Sequence, residues 1–221
     1  MVTLSAEGPL RTLHLGDDEN RFSPDWLESV ESALDDLESS AEPTALVTIG
    51  GGKFFSNGLD LEWLRENFDR HDEYVERVHT LFARVLTLPV PTVAAVNGHA
   101  FGAGAMLAMA HDYRVMRSDR GYFCFPEVDI RIPFTPGMNA LILSKLTPAA
   151  ALASMTTGRR FGGVDAERIG IVDATADLDD LQETAAGVVR DLIGKDRATL
   201  GTIKARMFEG ALAALRGHGP V

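Results

Sequence analysis

The chain has 221 residues, 45% hydrophobic and 7% aromatic, which is enough apolar material to bury the core of one domain and too much for an intrinsically disordered chain. A formal net charge of -11 at pH 7 argues against a nucleic-acid or anionic-membrane partner, because both reward a concentrated basic face. The single cysteine, Cys124, excludes an internal disulfide and a CxxC metal cluster and fits a reducing compartment.

The opening MVTLSAEGPLRTLHLGDDEN lacks the basic-then-apolar pattern of a secretory signal. It reads instead as a hairpin, with strands over Val2–Glu7 and Leu10–Leu15 turning at Gly8-Pro9. Ser23-Pro24-Asp25 before WLESVESALDDLE predicts a helix: Ser23 caps it, Pro24 suits the first helical position, and Trp26, Leu27, Val30, Leu34 and Leu37 recur at helical spacing. ALVTIGGG, Ala45–Gly52, reads as a buried strand ending in glycines. A turn at Phe55–Asp60 leads to one long amphipathic helix over Leu61–Leu86 and then to the strand PTVAAVNG, Pro91–Gly98. The helix AGAMLAMA and the strand YRVMRSD follow. Thr147–Gly163 reads as helical, IGIVDATAD as a last short strand, and LQETAAGVVRDLIGK as the start of a terminal helical part. Strand, glycine-bearing turn and helix thus recur in order, which predicts an α/β architecture. No run reaches the roughly 20 apolar residues of a membrane span, since Val90–Ala110 is broken by Asn97, His99, glycine and proline. The expectation is a soluble, cytoplasmic protein.

GGGKFF suggests a phosphate loop, but Val47 stands where the first glycine belongs and Phe54 where Ser or Thr should follow Lys53. Gly102-Ala103-Gly104 fails as a dinucleotide fingerprint because Leu107 replaces the third glycine. Taken together, FFSNGLDL and NGHAFGAGAMLAMAHD each follow a buried strand and open a helix, where free amides point outward. Two such amides meeting on one oxygen would form an oxyanion hole; the alternative is that the glycines only permit tight turns. In FCFPEVDIRIPFTPG the carboxylate of Glu127 lies among apolar residues, where desolvation raises its pKa toward the range of proton transfer. The alternative is an ordinary solvent-facing glutamate at a strand end. Cys124 has no local His partner and reads as a small buried hydrophobe. His99 and His111 lack ligand spacing and read as structural.

FFSNGLDL, PTVAAVNGHAFGAGAMLAMAHDYRVM and FPEVDIRI, in that order, resemble the crotonase or enoyl-CoA hydratase/isomerase superfamily over Leu10 to Asp177. The resemblance implies a spiral of repeated β-β-α units over residues 1–180, with a short helical region over 181–221 that lacks the long tail many members use to cover the acyl pocket. It implies a coenzyme A thioester as ligand, its oxygen held by the backbone N–H groups of Leu59 and Ala103, the latter replacing the usual glycine. Asn57, Gly58, Leu59, Asp60 and Leu61 match the segment that lines the thioester and adenine. Hydratases of the superfamily carry two glutamates; Glu127 matches the second, and Met106 occupies the place of the first. Dienoyl isomerases carry a further aspartate, where Thr135 stands here. The pattern left is that of the 3-enoyl-CoA to 2-enoyl-CoA isomerases of fatty acid degradation, with Glu127 as the one base and acid, Met106 facing the acyl chain, and Leu64, Phe134 and Met138 as neighbours. No metal or further cofactor is implied, coenzyme A being part of the substrate, and a homotrimer or hexamer is the family habit. The alternatives are a hydratase or thioesterase in which Glu127 activates water, and a non-catalytic acyl-CoA binding protein.

Overall fold

The computed structural model describes residues 1–217. Within them the chain builds a six-stranded sheet in the order β1 (Thr3–Glu7), β2 (Leu10–His14), β3 (Ala45–Ile49), β5 (Thr92–Val96), β7 (Tyr113–Arg117) and β9 (Ala174–Ala176). Only the β1–β2 hairpin is antiparallel. A second, three-stranded parallel sheet is made of β4 (Phe54–Ser56), β6 (His99–Phe101) and β8 (Phe123–Cys124). The α/β spiral follows from this alternation. Each of the pairs β3–β4, β5–β6 and β7–β8 places one strand in the large sheet and the next in the small one, before the chain enters a helix.

The sequence explains these placements. β3 and β5 are short apolar runs because both of their faces are covered. On one face Val47, Val93, Ala95 and Val115 pack with Leu181, Ala185 and Val189 of the helix α9 (Leu178–Arg190). The expected boundary between residues 180 and 181 therefore falls inside α9, a helix that covers the large sheet. The other face carries the main core, which includes the helices α1 (Pro24–Ser39) and α3 (His71–Leu86) and the apolar α4 (Ala103–Ala110). Ser23 caps α1 as expected, its Oγ accepting the Trp26 N–H at 3.2 Å. The chain then closes with α10 (Arg197–Met207) and α11 (Glu209–Leu215), of which α11 packs on the helix α6 (Pro136–Lys145) and on α3. Residues 218–221 of the expected C-terminal region lie outside the described residues. No helix among the described residues is long and apolar enough to cross a membrane.

Three expectations change. The long helix predicted over 61–86 is two helices, α2 (Leu61–Glu66) and α3, joined by a 3₁₀ turn at Phe68–Arg70. At the break Asn67 leaves the helical region, and its side-chain amide and its backbone N–H both donate to the Trp63 carbonyl, at 2.9 and 3.0 Å. The helix expected over 147–163 is α7 (Pro148–Met155) alone. Gly158 then takes φ +62, and Phe161 pairs antiparallel with Phe123 instead. In IGIVDATAD only Ala174–Ala176 is strand, while Ile171 and Val172 are buried in the main core.

Candidate active site

Two turns that leave the small sheet meet at the site. The first, Asn57–Asp60, connects β4 to α2. Gly58 sits there at φ +81, and a Cβ on it would lie 2.7 Å from the Phe101 carbonyl and 3.0 Å from the Ala103 nitrogen. Only glycine allows this turn to touch the second one. The turn is fixed from behind: Ser56 Oγ accepts the Gly58 N–H at 3.1 Å and donates to the Asn20 carbonyl at 2.7 Å. The Gly58 carbonyl in turn accepts the Phe22 N–H at 2.9 Å. Asp60 is turned to structural use, capping α2 through the Trp63 N–H at 3.1 Å while its own N–H donates to Tyr74 Oη at 3.0 Å.

The second turn is Gly102, at φ +50, leading into Ala103 as the first residue of α4. A first-turn amide has no acceptor within its own helix. Neither the Leu59 N–H nor the Ala103 N–H donates to a protein acceptor among the described residues. Two free donors therefore stand on turns in contact.

Glu127 opens the short helix α5 (Glu127–Ile130), rather than ending a strand, and is 8% exposed. A Cβ on Gly102 would stand 3.3 Å from Glu127 Oε1, so the carboxyl group faces the second turn. Its other oxygen, Oε2, is buried without a hydrogen-bond partner among the described residues. Burial pushes the carboxyl up to about 7, and no charged neighbour accounts for the shift. Glu127 thus exchanges a proton near neutrality because it is dry.

A cavity of about 300 Å³ joins these parts, lined by Asn57, Leu59, Leu61, Ala103, Met106 and Glu127. Gly58 and Asp60 are adjacent in the chain but not on the lining. Of the expected apolar neighbours, Met138 lines the cavity, whereas Leu64 does not and Phe134 faces an adjoining groove with Ile132 and Met155. Sequence reasoning missed Arg21, Phe101, Arg65 and the apolar rim Ile130, Ile132 and Pro133. Arg21 arrives through a bridge to Gly58, a pairing between distant segments that no local pattern signals. The other carboxylate on the lining, Glu62, has a 74% exposed side chain paired with Arg21 at 3.1 Å.

The remaining candidates fall into place. Burial pushes the Cys124 thiol up to about 11, where it donates to the Gly158 carbonyl at 3.3 Å, the opposite of a nucleophile's setting. His111 is buried between the Leu107 carbonyl at 2.9 Å and Thr48 Oγ1 at 2.8 Å, and His99 packs among the rings of Phe54, Phe101 and Tyr122.

Residues 11–216 match the family model for enoyl-CoA hydratase/isomerase. The chain belongs to that family. It is 40% identical over 196 residues to the enoyl-CoA delta isomerase 3 of Arabidopsis thaliana, covering 86% of this chain and 80% of that protein. It is 34% identical over 226 residues to a putative enoyl-CoA hydratase of Thermus thermophilus, covering 96% of this chain and 84% of the relative. The fold superposes with a TM-score of 0.90 on the crystal structure of a probable enoyl-CoA hydratase from Mycobacterium tuberculosis, at 24% identity, over 98% of this chain and 92% of the other.

Proposed function

We propose that this enoyl-CoA hydratase/isomerase family member is an enoyl-CoA delta isomerase, moving the double bond of a 3-enoyl-CoA to give the 2-trans-enoyl-CoA in fatty acid degradation. The observation that carries the reading is a single buried carboxyl group, Glu127, on a cavity wall otherwise apolar beside it, with the buried thioether Met106 on the same lining, at the place that the resemblance gives to the other glutamate of hydratases. The similarity to the Arabidopsis delta isomerase points the same way.

The chemistry follows from those parts. The thioester carbonyl oxygen accepts the Leu59 and Ala103 amides, whose fixed dipoles stabilise the charge that develops when a C2 proton leaves. Glu127, in its ionised form, takes that proton. The dienolate spreads its charge to C4, the same carboxyl group returns the proton there, and the double bond moves from C3–C4 to C2–C3 with no net gain or loss of atoms. Met106 and Met138, both nearly fully buried, keep water from the intermediate. No metal or redox cofactor enters these steps. Asn57 and Leu61 line the approach of the coenzyme A part, and Arg21 and Arg65 place positive charge on the same wall.

The assembly we propose is a trimer or hexamer. Its support is the apolar surface exposed around two grooves that share Phe134 and Met155 and include Val128, Ile132, Leu143 and Leu152. The lone buried Cys124 is consistent with a cytoplasmic setting. The activity is tested by incubating the protein with 3-cis- and 3-trans-enoyl-CoA of several chain lengths and separating the products by chromatography. A 2-trans-enoyl-CoA product is expected; unchanged substrate at every length would contradict the reading.

A further inference from the structure

A second cavity, of about 490 Å³, opens where α10 crosses the start of β7 and the end of α6. It shares no lining residue with the cavity of Glu127. Leu192, Leu200, Ile203 and Met207 supply apolar walls, and Ile203 and Met207 remain 48% and 69% exposed.

The charged groups on its walls are nearly all accounted for. Lys204 Nζ donates to the Leu88 and Val90 carbonyls at 2.9 and 2.8 Å and to Asp112 at 2.6 Å. Asp112 also accepts the Thr92 N–H at 2.9 Å, and Asp196 caps α10 through the Thr199 N–H at 2.8 Å. Lys195 is exposed to solvent. Lys145 differs: among the described residues its ammonium has no hydrogen-bond or ion-pair partner, and it lies over the Phe208 ring at 4.6 Å. Burial, with Arg114 and Lys204 nearby, pushes this ammonium down to about 8 although Asp112 and Asp173 oppose the shift. A half-buried cation without a partner, beside an apolar wall, gives up hydration that a bound anion would offset.

We infer that this cavity is a ligand site for a linear monocarboxylate of medium chain length, its carboxylate on Lys145 and its chain along Leu192, Leu200, Ile203 and Met207. Of the two lining lysines without a partner among the described residues, Lys195 is solvated and Lys145 is half-buried, so one negative charge on Lys145 matches the site, and mostly apolar walls with one polar anchor are the usual makeup of a small-molecule pocket of this volume. The site does not depend on the isomerase reading.

The test is calorimetric titration of the full chain with decanoate, with decanol as the uncharged counterpart. Saturable decanoate binding is expected, unchanged when the Glu127 cavity is filled with butyryl-CoA. It should weaken at least tenfold in Lys145→Gln and also in Ile203→Trp, which fills the cavity from an exposed position and so keeps the test valid should Lys145→Gln not fold. Decanol should bind at least tenfold more weakly than decanoate and be indifferent to Lys145→Gln. The inference is overturned if decanoate does not bind, if butyryl-CoA displaces it, if folded Lys145→Gln or Ile203→Trp binds it as the wild type does, or if decanol binds equally well.

Discussion

Replacing Glu127 by Gln should produce two opposite effects, because the group that makes the site reactive also destabilises the fold. The folded-state pKa of about 7 lies above the ordinary glutamate value of 4.5, so burial disfavours the charged form. For such a raised pKa the stability is fully present below about 4.5, and it is lost as pH rises through about 7. The gap corresponds to roughly 3 kcal/mol at full ionisation, an upper figure because a carboxyl group 8% exposed keeps some contact with solvent. Gln has nearly the same shape and no charge to desolvate. Urea or thermal denaturation of both proteins between pH 4 and pH 8 should therefore show Glu127→Gln gaining on the wild type as pH rises, by about 2 kcal/mol, with the difference flat below the unfolded pKa. Turnover of a 3-enoyl-CoA should fall roughly 10²-fold to 10⁴-fold in the variant with thioester binding retained. Wild-type turnover should itself climb with pH and reach half its plateau near pH 7. A stability difference that does not change with pH would refute the argument that desolvation sets this pKa; wild-type turnover in the variant would refute the single-base mechanism.

Two further changes probe the surroundings. Ala103→Pro removes one N–H at the first position of α4, where proline is compatible with a helix, so circular dichroism should remain helical while turnover falls about 10²-fold to 10³-fold; unchanged turnover would remove Ala103 from the oxyanion hole. Lys204→Met leaves the Asp112 carboxylate without its buried cation and should lower stability by about 3 kcal/mol in chemical denaturation, while folded protein keeps its isomerase turnover; a neutral effect on stability would show that Asp112 is satisfied by solvent.

How much of this could be read from the sequence differs by residue. α1 and α4 were legible because Ser23, Pro24 and the run AGAMLAMA act within one turn of chain. The break at Asn67 was not, because it depends on one side chain taking a carbonyl from an otherwise regular charged helix. The small sheet was equally hidden. Its strands, of two or three residues, exist only because β4, β6 and β8 are brought side by side by the larger sheet. At the site, the patterns around Gly58, Ala103 and Glu127 carried local signals of turn, helix start and apolar context. Asp60 shows the limit: a conspicuous acid in the right segment serves as a helix cap. Arg21, Phe101 and Ile130 join the cavity through long-range packing, for which one sequence offers no periodicity to read.

The central claim is that the one buried carboxyl group on the cavity wall, Glu127, moves protons and does not activate water, with Met106 on the same lining. Hydration needs a water held beside C3, and a thioether is a poor acceptor for that purpose. The direct measurement is the ratio of two rates for the wild-type protein, 3-hydroxyacyl-CoA formed from a 2-trans-enoyl-CoA against 2-trans-enoyl-CoA formed from a 3-enoyl-CoA of the same length. Isomerisation should dominate by at least an order of magnitude; hydration that matches or exceeds it would contradict the account.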